Sequence, residues 1–385
     1  MSRPETDVIH GDGARDGARP LTTPVYQTST FVFASAAELE QHLAGDDARY
    51  LYSRHANPSV EAAESKIAVL EGAEAAMVTS SGMAAAATAL FGLLASGQEL
   101  VTSAAIYGGS VHLMTAFLRR FGVNVRLAPA DEDLVAHIGP DTRVVWFESP
   151  TNPTLRCIDI RRVADACRAR GIVSVFDNTF ASPINQRPLQ LGVDLVMHSA
   201  TKYLNGHSDV VAGALVGPAR LIEQLQPARK FLGGVLDPSA AYALARGIKT
   251  VALRVARQNA SAQRIAEWLE ADDRVRTVLY PGLPSHPDHA IARQQMSGFG
   301  GMVTFAVGGT YEAACRVFDR LQLIQRAASL GGVESICSLP VLTSHYGMAP
   351  EALAAAGVSR DMIRLSVGLE HPDDLIVDLD RALGR

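Results

Sequence analysis

A chain of 385 residues, 48% of them hydrophobic, has enough apolar mass to bury a large core, and its length suits two domains or one large one. Its formal net charge of −5, with Lys and Arg scattered and no basic run, argues against a nucleic-acid partner and leaves room for a small anionic ligand held by local charge. The four cysteines, Cys157, Cys167, Cys315 and Cys337, show neither CxxC pairing nor regular spacing, which suits reduced thiols in a cytoplasm better than a disulfide framework.

The first residues, MSRPETDVIHGDG, mix charges of both signs without an apolar run. They do not read as a signal peptide, so a cytoplasmic location is expected. Gly11 to Gly17 is glycine-rich, but it follows no strand and lacks the spacing of a dinucleotide-binding turn, so it reads as part of a flexible arm. Residues 1–53 are taken together as an arm that contacts a neighbouring subunit. The first confident helix starts at Pro58 and is closed by Gly72, with Pro early and Gly just past the end.

From Glu74 to Gly217, short Val/Ile/Leu-rich runs alternate with helical patterns, as in a parallel sheet wrapped by helices. The expected strands are AAMV, ELVT, VNVRL, RVVWF, IVSVF, DLVM and VAGALV. Ala75 to Gly97 is almost uncharged, but Thr79-Ser80-Ser81-Gly82 breaks it into a strand and an Ala-rich helix, which excludes a membrane span. After Pro218 come a long helical stretch, Pro238 to Ala271, and the strands RVRTVLY and GMVTFAV. This pattern divides the chain into a large domain, residues 54–243, and a smaller α/β domain, residues 244–385.

Three strand ends carry chemistry. The strand DLVMH runs into Ser199, Thr201 and Lys202, at the carboxyl edge where open α/β sheets bind ligands. IVSVF ends in Asp177-Asn178-Thr179, so a carboxylate projects from the same edge. Ser80-Ser81-Gly82-Met83 joins a strand to a helix, and backbone N–H groups at such a junction suit a phosphate. Each alone has an ordinary structural explanation: a surface lysine, an Asp capping a turn, a common Ser-Gly turn. Together they match pyridoxal 5′-phosphate, which needs an amine for its aldehyde, a phosphate cradle and an ionised carboxylate against its ring nitrogen.

Further motifs are Tyr52-Ser53-Arg54 with Asn57-Pro58, Tyr107-Gly108-Gly109, Glu148 to Pro153, Tyr280-Pro281-Gly282, Ser329-Leu330-Gly331-Gly332 and Arg364-Leu365-Ser366-Val367-Gly368. With Ser81-Gly82-Met83, Asp177-Asn178-Thr179 and Ser199 to Tyr203, they resemble the Cys/Met-metabolism family of pyridoxal phosphate enzymes along nearly the whole chain. That family includes cystathionine γ-synthase, cystathionine γ-lyase, methionine γ-lyase and the O-acylhomoserine sulfhydrylases. The resemblance implies the type I (aspartate-aminotransferase-like) fold, α/β with a mainly parallel sheet. It implies Lys202 as the Schiff-base lysine, Asp177 as partner of the ring nitrogen and Tyr107 stacked on the ring. Ser81, Gly82, Met83, Thr179, Ser199 and Thr201 would surround the cofactor, joined by Tyr52 and Arg54 from a neighbouring subunit, so a homotetramer of site-sharing dimers is expected. Arg364, with Asn152 and Ser329, would take the α-carboxylate of an amino-acid substrate. The catalytic set is Lys202, Tyr107 and Asp177.

Two departures bear on the reaction. Where cystathionine-handling relatives usually carry a glutamate before Ser-Leu-Gly-Gly, this chain has Ala328, and where cystathionine γ-lyases commonly carry an arginine, it has His112. Both losses favour an uncharged γ-substituent. Many methionine γ-lyases have a cysteine where this chain has Gly109. The expected reaction is γ-elimination of the methionine γ-lyase type, giving 2-oxobutyrate, ammonia and a thiol, with cystathionine γ-lyase or a γ-replacement transferase as alternatives. His286 and His289 have metal-like spacing, but Pro284 and Pro287 make the stretch a turn, and no metal is expected. His345 falls near the presumed substrate mouth.

Overall fold

The structure is a computed structural model describing residues 3–10, 20–45 and 49–384. The segment Gly11 to Gly17 lies outside the described residues. The stretch expected to be an arm contains two short helices, α1 (Pro4–His10) and α2 (Ala36–Ala44). Helix α3 (Pro58–Glu71) begins where expected: the Asn57 side chain accepts from the Ser59 amide, Pro58 occupies the first turn, and Gly72 closes the helix at φ 69°.

Seven strands form the first sheet: β1 (Ala75–Thr79), β2 (Glu99–Ser103), β3 (Asn124–Ala128), β4 (Thr142–Glu148), β5 (Val173–Asp177), β6 (Leu195–His198) and β7 (Gly213–Gly217). Their order is β1-β7-β6-β5-β4-β2-β3. Val175, Leu195 and Met197 pack into the core on one face, and Phe176 and Val196 into the core on the other, so the central strands are apolar on both sides. The helix after β1, α4 (Gly82–Leu93), covers the first face and α3 the second. Ala75 to Gly97 therefore divides into a strand and a buried helix, and among the described residues no helix is long and apolar enough to cross a membrane.

One strand departs from the expected parallel pattern. β7 runs antiparallel to both β6 and β1, while the central strands are mutually parallel. The chain between β6 and β7 holds Lys202 in a series of turns and contains no helix, and a parallel return needs a crossover, usually helical.

The long helical stretch divides at Lys249-Thr250 into Pro238–Ile248 and Val251–Glu270. Beyond it, β8 (Val275–Leu279), β9 (Met302–Val307), β10 (Gln325–Arg326), β11 (Ile336–Ser338) and β12 (Met362–Ser366) form a second sheet in the order β10-β11-β12-β9-β8. Its core is built from Val303, Phe305, Ile363 and Leu365, closed by Leu375 and Leu379 of the helix Pro372–Leu383. The carboxyl ends of β1, β4, β5 and β6 leave the first sheet on one edge, and a cavity of about 590 Å³ lies there, lined also by the loops at 328–330 and 342–344 from the second sheet's side.

Candidate active site

The phosphate-cradle candidates come from three strand ends. Ser81 caps α4, its Oγ accepting from the Ala84 amide at 3.0 Å. The amides of Gly82 and Met83 fall in the first turn of that helix, where no helix carbonyl can satisfy them, and both residues line the cavity. A Cβ at position 82 would lie 2.8 Å from the Cβ of Ser199, so only glycine lets this turn approach the β6 loop so closely. The Ser199 amide donates to Thr179 Oγ1 at 2.8 Å, joining the ends of β5 and β6. Thr201 also lines the cavity, but its hydroxyl donates to the Ala212 carbonyl and accepts from the Ala212 amide, so it braces the Lys202 turn against the start of β7.

Lys202 reaches into the cavity and its Nζ donates to Ser329 Oγ at 2.6 Å. Burial, helped by the positive charge of Arg364, lowers its pKa to about 8. Asp177 ends β5 and is 8% exposed. Burial pushes its pKa up, opposed by hydrogen bonds from the Thr179 hydroxyl and amide and by His198 behind the sheet. His198 itself is hydrogen-bonded to Glu71 at 2.6 Å, and Glu71 also accepts from Asn178, which ties α3 to the ends of β5 and β6.

At the other end of the cavity Arg364, on β12, is 5% exposed. One of its nitrogens donates to Asn152 Oδ1 at 2.9 Å and another to the Ser329 carbonyl at 3.1 Å. Burial lowers its pKa to about 10, which still leaves it cationic at neutral pH. Ser329 holds φ at 97°, a conformation unusual for a residue with a side chain, and this turns its hydroxyl toward Lys202 and its carbonyl toward Arg364.

Tyr107 lines the cavity with its ring 42% exposed in the single chain, folded over Gly109: a Cβ there would lie 2.5 Å from Tyr107 Cε1. A cysteine at 109 would therefore require the ring to move. Lys202, Tyr107, Asp177, Ser81, Gly82, Met83, Thr179, Ser199, Thr201, Asn152, Ser329 and Arg364 thus all border one cavity.

Tyr52 and Arg54 do not. They lie together, the guanidinium 5.5 Å from the Tyr52 ring centre, beside a separate surface cavity with Gln27 and Asp237. His112 packs its ring against Phe117 and is not part of the wall. His286 accepts from the Asp288 amide and His289 bonds the Pro281 carbonyl, each facing its own partner, and among the described residues no group of three or more His, Cys, Asp or Glu is placed to hold a metal ion. His345 bonds Ser344 behind the cavity wall, and burial, with Arg364, lowers its pKa to about 4, so it is neutral and packs the loop. Sequence reasoning gave no role to Glu148 or to Leu342, Thr343 and Ser344, which also border the cavity. Glu148 lay inside a quoted motif, whereas the 342–344 loop carries no motif.

A family model described as Cys/Met metabolism PLP-dependent enzyme matches residues 5–384. The chain belongs to that family. L-methionine gamma-lyase of Pseudomonas putida is 43% identical across 98% of this chain and 96% of that protein. Cystathionine gamma-synthase 1, chloroplastic, of Arabidopsis thaliana is 42% identical across 94% of this chain, which spans 65% of that protein's length. The solved structure of a putative O-acetylhomoserine (thiol)-lyase from Campylobacter jejuni, which contains N′-pyridoxyl-lysine-5′-monophosphate, has a TM-score of 0.94 over 100% of both chains at 30% identity. The chain is therefore a pyridoxal phosphate enzyme of lyase or transferase type on the type I fold. The names of these relatives divide between lyase and synthase, so kinship establishes cofactor and reaction class and leaves substrate choice to the cavity wall.

The cavity fits that cofactor. A buried carboxylate, Asp177, has hydrogen bonds from Thr179 but gains most from a cation facing it, which a protonated ring nitrogen supplies. The Gly82–Ser199 contact leaves backbone amides at a helix N-terminus for the phosphate, and Lys202 borders the same cavity.

Proposed function

We propose that this enzyme catalyses γ-elimination on a sulfur amino acid with an uncharged γ-substituent, of the methionine γ-lyase type. The observation that carries the reading is the cavity lining at residues 328–330 and 342–344. Among the described residues that lining includes Ala328, Leu330, Leu342 and Thr343, and the charged side chains on the cavity are Lys202, Arg364, Asp177 and Glu148. The cavity's two carboxylates, Asp177 and Glu148, sit on the β4–β5 edge, and both oxygens of Glu148 already accept backbone N–H groups.

Bound through its aldehyde to Lys202, the cofactor acts as an electron sink that makes loss of a Cα proton accessible. Asp177 would keep the ring nitrogen protonated, and Gly82, Met83 and Ser199 would hold the phosphate. Arg364 clamps the substrate carboxylate with its fork-shaped guanidinium, and Asn152 and the Ser329 carbonyl hold that fork in orientation. Lys202 would remove the Cα proton, and its lowered basicity suits a group that accepts and returns protons near neutral pH. The Tyr107 hydroxyl assists departure of the γ-thiol. With one water consumed in hydrolysis, the products are 2-oxobutyrate, ammonia and the thiol. Tyr52 and Arg54 act across a subunit boundary on the phosphate of a neighbouring site, which makes a dimer the least active unit and a homotetramer the expected assembly.

The test is a substrate panel of methionine, homocysteine, cystathionine and O-acetylhomoserine, with and without cysteine, measuring 2-oxobutyrate, free thiol and thioether. Methionine should yield 2-oxobutyrate and thiol. A thioether from O-acetylhomoserine and cysteine, with no 2-oxobutyrate from methionine, would make the enzyme a γ-replacement transferase.

A further inference from the structure

We propose that Glu148 is a positioning residue: one buried carboxylate that holds the Tyr107 segment and the Asn152 segment in register with Asp177 and sets a second carboxyl group beside the one that would face the cofactor's ring nitrogen. The inference rests on the site reading given above and extends it to a residue with no role there.

The geometry is specific. Glu148 is the last residue of β4, and its Cα partner across the parallel ladder is Asp177 at the end of β5. Neighbouring strands lie about 4.8 Å apart, and both residues line the cavity. Glu148 Oε2 accepts from the Tyr107 amide at 3.1 Å and Oε1 from the Asn152 amide at 2.8 Å. The first bond fixes the residue expected to stack on the ring, and the second fixes the residue whose side chain orients Arg364. One side chain therefore sets the relative placement of ring and substrate carboxylate.

Each oxygen of Glu148 accepts one backbone N–H, so the side chain acts as an acceptor at both ends. Glutamine cannot reproduce it: its amide nitrogen would face one of the two N–H groups, donor against donor. Aspartate keeps the charge and both acceptors but is one methylene short.

Two carboxylates side by side in a buried site repel each other. Burial and then Asp177 push Glu148 up in pKa, opposed by the two backbone hydrogen bonds and by Arg364. The charged groups facing Glu148 are Asp177 from β5 and Arg364 from β12, with Lys202 across the cavity and His198 acting on Asp177 from behind the sheet. A cationic ring bound against this pair relieves the repulsion, so the pair favours cofactor binding and a protonated cofactor. A simple loop strut would do neither.

The experiment compares wild-type holoenzyme with Glu148→Gln and Glu148→Asp by thermal unfolding, by titration of each apoprotein with pyridoxal phosphate, and by the pH midpoint of the bound cofactor's visible absorbance. Glu148→Gln should bind the cofactor about tenfold more weakly, as expected for losing a hydrogen bond to a charged group. Its absorbance midpoint should fall by about half a pH unit or more, because removing an anion disfavours the protonated form. Glu148→Asp should keep the midpoint and show a raised KM. A folded Glu148→Gln with wild-type affinity and midpoint would overturn the proposal. Should Glu148→Gln not fold, Glu148→Asp decides alone: an unshifted midpoint with raised KM supports the proposal, and a shifted midpoint overturns it. Failure of the underlying site reading is distinguishable, because it would show in the wild type as no cofactor binding.

Discussion

The cofactor end of the cavity is made from strand ends locked in one hydrogen-bonded sheet, whereas the substrate end is made mostly from loops on the second sheet's side, joined by Asn152 from the loop after β4. At the first, Asp177, Ser199 and the turn at Gly82 are tied to one another within a few residues of β1, β5 and β6, and His198, Glu71 and Asn178 brace them from behind. At the second, only Arg364 stands on a strand, while Asn152, Ala328, Ser329 and residues 342–344 are carried by connecting segments. Strand ends in a packed sheet resist displacement, and loops tolerate substitution. A family that shares one cofactor and varies its substrate has reason to be built this way, and relatives named as lyases and synthases at similar identity fit that division.

The difference can be broken from either side. On the cofactor side, Asp177→Asn removes the anion proposed to face the ring nitrogen without changing shape, and kcat should fall by about 10²-fold or more, with a much smaller change in KM. Equal losses in affinity and turnover would mean that Asp177 mainly holds structure. On the substrate side, Arg364→Lys keeps the charge but loses the fork, so KM should rise roughly tenfold with kcat much less affected, since a single ammonium cannot make two parallel bonds to a carboxylate. A fall in kcat matching that for Asp177→Asn would erase the distinction between the two ends.

A smaller effect sharpens the boundary where the halves meet. The amine of Lys202 must be unprotonated to attack an aldehyde, and in the apoprotein its pKa lies near 8 through burial and Arg364, below the usual lysine value. The rate of reloading apoprotein with cofactor should therefore rise with pH through a midpoint near pH 8 and level off about one unit above it. Arg364→Leu removes the second of these causes, so it should move the plateau to slightly higher pH. A plateau only above pH 10 would show that Lys202 sits in water.

The same division governs what the sequence disclosed. Val- and Ile-rich runs ending in Asp177, Ser199 and Ser81 are legible because burial on both faces forces apolar strands, and polar residues at their ends then stand out. The direction of β7 was not legible, since it depends on the lack of a helix in a loop and not on the strand itself. Glu148 stood within a conspicuous motif, yet its partner at Tyr107 is 41 residues away and nothing local announces that bond. Leu342 to Ser344 line the substrate end because of where the second sheet delivers them; a glycine at 108 allows it, since a Cβ there would meet the Ser344 carbonyl at 2.0 Å. Tyr52 and Arg54 lie apart from the cavity within one chain, beside a separate surface cavity.

Lys202 is the amine proposed to bond the cofactor, in a cavity that also holds Asp177 and Arg364. Reduction of the yellow holoenzyme with borohydride, followed by peptide mapping, tests it most directly. The account predicts one pyridoxyl adduct per chain, on the peptide containing Ser199 to Tyr203 and absent in Lys202→Ala. An adduct on another lysine, or a wild-type protein that takes up no cofactor, would contradict it.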